Sequence, residues 1–432
     1  MKISGFENII CIDAFAYHLA VDKHEECNFT VSVSDREIDG CIGQLGNKCT
    51  VENDDFKFCG TVTEISVKRY FSSNSLDVKI KGDTIKYDND KKYRIFQNEN
   101  KTASDILNCT SMSEAVCFLE EDKTIREIIV QQNETDWDFA LRFAHYLNKH
   151  IYPGETVRFG DPEKKIQTLE EKNIIDMTLT LREKKSECYC TTRKNLNFGG
   201  KVKINGKVFV IDEYVYRLSK EEYIREYHLT EYCSDNVSGT LPCYTLLAKV
   251  TDNNDPDKKG RLKLEFAEPY EDVMKDQPCM LEMDSLWASK SNGLVMIPSI
   301  DDIVRVDIND KTARITAVRR TEPFGDAYED CNTKYILVSK NIYALWNEEK
   351  LHIKFGDKTE LTIDEESITG INDKSLIKTD EKGVHIDTGK TQAEFQDGTK
   401  LKTDSLEIDA QKKAGITSSK VDIKGKSGVN IN

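Results

Sequence analysis

The chain lacks any apolar run approaching the roughly 18 residues that cross a membrane as a helix, although 38% of its 432 residues are hydrophobic. Its opening, Met1-Lys2-Ile3-Ser4-Gly5-Phe6, passes directly into Glu7 and Asn8 without an apolar core, so no secretory signal peptide is expected. An excess of basic charge is missing as well. The 61 Lys and Arg are outnumbered by 76 Asp and Glu, giving a formal net charge of −15. This argues against a nucleic-acid binder, because phosphate contacts need clustered cations. There is no Gly-x-Ser-x-Gly, no His-Glu-x-x-His and no phosphate-binding loop. Adjacent carboxylates such as Glu365 and Glu366 stand in polar surroundings and read as solvated surface, not as an acid–base pair. The protein is therefore not expected to be an enzyme, with no catalytic, cofactor-binding or metal-binding residues.

The thirteen cysteines are scattered from Cys11 to Cys331 without a disulfide framework and read as reduced thiols in a cytosolic setting. Cys188 and Cys190, the closest pair, have one residue between them and no second pair nearby, which excludes a zinc reading. His145 and His150 are five apart, do not share a helix face and make a poor metal pair.

Alternation is what the chain has in quantity. Leu406 and Ile408, Ala414 and Ile416, Val421 and Ile423, and Val429 and Ile431 form pairs recurring about every eight residues among polar ones. Period-two alternation means strands with one buried face. Each strand has too few inward side chains to close a core alone, so the segment must stack on copies of itself or on other chains. No helix is expected beyond about residue 332.

Upstream, residues 58–67 and 75–82 read as strands. Helices are expected after Ser104 and over Pro162 to Lys172, where Pro suits a first helical position. The clearest helix begins near Asp136. Trp137, Ala140, Leu141, Ala144 and Leu147 share one face there, and Asn133, Thr135 and Asp136 offer capping oxygens. A linker is expected around 232–243. Beyond it, short strands at Leu246 to Val250, Arg261 to Phe266, Val304 to Ile308 and Ile315 to Val318 suggest a small closed OB-like barrel.

Three separated segments carry a resemblance. Ile129-Val130-Gln131-Gln132-Asn133-Glu134-Thr135-Asp136-Trp137-Asp138-Phe139, running on to Arg142, resembles the base-domain signature of VgrG-type spike proteins and related phage tail hubs. Gln131, Asn133, Glu134, Asp136, Trp137 and Phe139 match its positions. Tyr93 through Gln97 and Ile106-Leu107 resemble the strand and helix that precede it. Asp257 to Phe266 with Gly293 to Val306 resembles the OB-fold of that family, through Gly260, Leu262, Leu264, Phe266, Pro298, Val304 and Val306. Gln132 replaces the usual Tyr, and Asp301-Asp302 replace a usual Gly.

The resemblance implies a mainly β protein with some α, in three parts: a phage-tail-hub-like base of β-barrels with helices over 1–235, an OB-fold over 236–325, and a C-terminal triple-stranded β-helix needle over 326–432 formed as a homotrimer. Leu406, Ile408, Ala414, Ile416, Val421, Ile423, Val429 and Ile431 would line the trimer axis. The implied partners are two further copies, a hexameric Hcp-like tube protein at the base, baseplate components, the target membrane and a PAAR-like tip protein or effector at Asn430, Ile431 and Asn432. That last expectation follows from repeats that run to the final residue. The spike would assemble in the cytoplasm and leave with the injection apparatus. His385, flanked by Val384 and Ile386, is expected to point outward and so not to hold an axial metal. The hub-spike of a phage or phage-tail-like bacteriocin is an open alternative. A cell-wall-degrading enzyme and a stalked adhesin are weaker ones.

Overall fold

Strict alternation builds the largest sheet. In Glu26–Val33 the side chains of Cys27, Phe29, Val31 and Val33 are buried while their neighbours remain half-exposed. In Asn74–Gly82, Leu76, Val78 and Ile80 do the same. Antiparallel pairing sets Phe29 opposite Val78 and Val31 opposite Leu76, so the apolar sets of both strands fall on one face. These strands belong to a computed structural model that describes residues 1–69, 74–169, 171–183, 185–219, 222–232, 239–274, 276–286, 296–309, 312–321, 333–339, 341–389 and 392–395, besides 413, 415 and 420. The chain divides into two compact units, Met1–Thr321 and Glu322–Asn432.

Within the first unit, a mainly antiparallel 12-stranded sheet forms in two halves. Cys11–Ala20 joins them by pairing with Glu26–Val33 on one side and Lys207–Ser219 on the other. The joint is lined with aromatics: Phe15 lies 6.0 Å from Tyr216 and Tyr17 lies 5.0 Å from Phe56, ring centre to ring centre. Such edge-on and tilted pairs add specific geometry to the area they bury. Cys188 and Cys190 sit inside this core, where burial pushes both thiols up to about 11. All described cysteines are free.

A helical insertion packs a second core. Ala103–Asn108 is closed by a capping box between Thr102 and Asp105. Asp136–Tyr146 follows the strand Ile129–Glu134, and Phe96, Phe139, Phe143 and Phe159 stack in sequence at 5.3, 5.9 and 5.9 Å. Trp137 is a core anchor, 4% exposed. The expected helix over Pro162 to Lys172 is not formed. Ile166–Thr168 is a strand parallel to Lys201–Ile204, and Glu171–Asn173 is one 3-10 turn. Ile166 and Leu169 are too few apolar residues to seat a helix. Instead the amide of Gln167 accepts from the backbone N–H of Asn197 at 2.8 Å, tying the segment into the sheet.

The third core belongs to a five-stranded sheet in the order Lys263–Phe266, Tyr244–Asp252, Ile303–Asn309, Thr312–Arg319, Glu282–Met283. A two-way backbone bridge between Leu262 and Leu281, 2.9 Å in each direction, links the ends of its outer strands. Ile95, Ile128 and Val130 of the hub join its core.

The second unit is an eight-stranded antiparallel meander, Lys334–Ser339 through Gln392–Phe395, each strand paired with the next. No helix occurs among its described residues. Among the described residues of the whole chain, no helix is long and apolar enough to cross a membrane.

Candidate functional site

The signature residues gather into one knot, and it is internal. Gln131 is fully buried. Its amide nitrogen donates to Asp136 Oδ1 at 2.9 Å and lies 3.2 and 3.3 Å from the carbonyls of Glu134 and Thr135, while its Oε1 accepts from Arg94 at 3.0 Å. Arg94 also reaches Asp136 Oδ1 at 2.5 Å, and Asp136 Oδ2 accepts from the backbone N–H of Ser111 at 2.9 Å. Burial alone would raise the Asp136 carboxyl, yet the bonds from Gln131, Ser111 and Arg94 outweigh it and hold the carboxyl below its usual range. Asn133 takes a left-handed φ of 52°, which turns the chain from strand into helix. Glu134 grips Arg142 with two bonds of 2.7 and 2.9 Å, and Arg142 also donates to the Val130 carbonyl at 2.8 Å. Thr135 caps the helix by accepting from the Asp138 N–H. The signature therefore locks a strand–turn–helix corner, with Gln131, Asp136, Trp137 and Phe139 buried in it. Its partners Arg94 and Ser111 lie 37 and 25 residues from the groups they bind, with no pattern in the sequence linking them.

The OB-motif residues also fall together. Leu262, Leu264, Phe266, Val304 and Val306 are all buried in the five-stranded sheet, and Pro298 is buried beside them. Gly260 has φ +72°, a left-handed conformation that favours glycine, and a Cβ there would lie 2.8 Å from Ile297 Cδ1. The preceding loop is fixed by Asp255, which accepts from the N–H groups of Asp257 and Lys259 and from the Arg261 guanidinium at 2.8 and 3.1 Å. Arg261 and those amides hold the Asp255 carboxyl far below its usual range.

In the meander the register lines up one apolar row across the strands. Ile336 faces Ala344, Ala344 faces Ile353, Ile353 faces Leu361, then Gly370, Ile377, Ile386 and Ala393 follow in turn. On the same face lie Trp346, Phe355, Ile368 and Val384. No apolar side chain among the described residues of this unit is buried, and Phe355 and Ile377 are 66% and 57% exposed. His385 lies on the opposite face, paired across from Glu394. The residues expected on the axis, Leu406, Ile408, Ala414, Ile416, Val421, Ile423, Val429 and Ile431, and those expected at the tip, Asn430 to Asn432, fall outside the described residues.

One further cluster gathers residues far apart in the sequence. His145 is at the end of the helix and His150 opens the strand His150–Tyr152, so a shared helix face is not what unites them. Both rings meet Asp22: His145 Nε2 is 2.9 Å and His150 Nδ1 is 2.7 Å from the same Oδ2.

The described chain thus comprises a large β sheet with a helical insertion, a small five-stranded sheet and a β-meander. No protein-family model matches the chain, and no curated protein matches it in sequence. The E. coli c3393 protein has the same fold, with TM-score 0.52 at 14% identity over 74% of this chain and 99% of its own. It is described as a component of the type VI secretion system with structural similarity to the T4 bacteriophage tail proteins gp27 and gp5. A PdpA–VgrG complex, described as lidless, matches with TM-score 0.52 at 10% identity over 88% and 94% of the two chains. The mainly β, VgrG-like fold implied by the Gln131 to Phe139 signature is thus the fold that the chain shares with these structures.

Proposed function

We propose that the protein is the homotrimeric spike of a contractile injection apparatus of the type VI kind, seated on the inner tube and puncturing the target membrane. The observation that carries this reading is the uncovered apolar row of the meander, from Ile336 through Ile353 and Leu361 to Ile386. Contiguous apolar faces of this kind mark an interface. Three copies about one axis would cover it, each Ile or Leu gaining about 1.5–3 kcal/mol on full burial. Strands wound together in this way form a stiff rod able to bear axial load.

In this reading residues 1–235 form the base that docks a hexameric Hcp-like tube, 236–325 form an OB-fold collar, and 326–432 form the needle. The Leu262–Leu281 bridge supports a closed barrel for the collar. A PAAR-like tip protein or effector rides at the needle end, baseplate proteins surround the hub, and the assembly leaves the cell with the apparatus. The role is mechanical and non-enzymatic, as the internal position of the signature favours. Light scattering on the purified full chain tests it: the expected mass is three times the 49.4 kDa of one chain. A single-chain mass at every concentration would overturn the assembly.

A further inference from the structure

We propose that Asp22, His145 and His150 form a binding site for a late first-row divalent cation such as zinc. The three side chains offer one carboxylate oxygen and two imidazole nitrogens, all within 4.8 Å of one another. Around a tetrahedral zinc, with bonds near 2.0–2.2 Å, ligand atoms stand about 3.4 Å apart. The 2.7 and 2.9 Å separations from Asp22 Oδ2 need to open by little more than about half an ångström to admit the ion. Two nitrogen donors select zinc-like ions over magnesium or calcium, which take oxygen.

The frame around the cluster is set by backbone, not by chance side-chain contact. Asp22 and Asn148 both adopt left-handed conformations, φ 63° and 58°, and neither is glycine. Such strain persists where the surroundings hold it. The amide of Asp22 donates to the Ile151 carbonyl, and the amide of Ile151 donates back to Asp22 Oδ1, each at 2.8 Å. That second bond fixes the carboxylate with Oδ2 turned to the two rings, the kind of outer support that metal-binding carboxylates have.

Asp22 and His150 border a cavity of about 490 Å³, from which water can take a fourth coordination position. Lys149, which lines the same cavity, pairs with Asp161 at 2.5 Å. In the neutral state each ring donates its proton to Oδ2. When the ion binds, each ring changes tautomer: the ligating nitrogen loses its proton to water, the other nitrogen takes one up from water, and the freed lone pair goes to the metal. The ion then clips the turn after the first long hub strand to the end of the helix and to the strand His150–Tyr152, joining the large sheet to the helical insertion.

The test is titration of the full chain with Co²⁺, followed by visible ligand-field absorption, then displacement by Zn²⁺ and melting with and without Zn²⁺. One ion per chain is expected, without a thiolate charge-transfer band, together with a higher melting temperature. His145→Ala and His150→Gln should each weaken binding by at least about tenfold. His145 is 46% exposed, so its removal leaves the fold intact and keeps the comparison decisive. No ligand-field absorption in the wild type, a thiolate band, or unchanged affinity in His145→Ala would overturn the site.

Discussion

Asp136 and Glu25 are both buried carboxylates, and their surroundings treat them in opposite ways. Asp136 is stabilised as an anion by Gln131, Ser111 and Arg94, and its pKa lies below the usual range. It therefore contributes stability above the unfolded value near 4, lost as pH falls through the folded value. Removing it also strands Arg94, so Asp136→Ala should cost about 3 kcal/mol in a denaturant melt at neutral pH. Glu25 is pushed up to about 7, chiefly by burial and by the charge of Asp83, against a lowering bond from Tyr17. The folded state holds that proton after the unfolded chain has lost it, so stability falls as pH rises from about 4.5 to about 7. Glu25→Gln should flatten that window and stabilise the protein by on the order of 2–3 kcal/mol at pH 8, read by urea titration across pH.

At the scale of elements, a helix is legible when its apolar stripe and its cap are both local. Asp136–Tyr146 has both: Thr135 accepts from Asp138 N–H at 3.1 Å and donates to Asp88 at 3.0 Å. Thr135→Ala should lower stability by about 1–2 kcal/mol while leaving the helix content of the folded protein in place, checked by melting and circular dichroism. The strands 58–67 and 75–82 were equally plain, because one side of each faces the core and the other water. Residues 162–172 misled for the converse reason. Proline gave a start signal, but pairing of Ile166–Thr168 with Lys201–Ile204 joins residues some 35 apart in sequence, and no local pattern encodes it. The meeting of His145 and His150 is equally non-local, since their partner Asp22 lies 123 residues away from the nearer ring.

For the whole molecule, the proposed assembly makes the meander the part whose stability depends on copies of itself. Placing a charge in its apolar row brings three unpaired, desolvated carboxylates to one axis. Ile353→Asp should reduce the light-scattering mass from three chains to one. The first unit, with its own cores, should keep its melting transition in that variant. A trimer of unchanged mass would show that the row is not the interface.

The sequence alone determined the mainly β character, the helix at Asp136 and the strands of the five-stranded sheet. Each is written in a period of two or 3.6 residues, and burial on one face enforces that period directly. It also marked Gln131 to Phe139 as a unit. Only the tertiary structure decided what that unit does, because Arg94 and Ser111 reach it across the fold and turn a motif into a buried knot. The same holds for Asp22, His145 and His150. Their meeting depends on where three separate elements end, and chain ends of elements are set by packing between distant segments, which no short window of sequence contains.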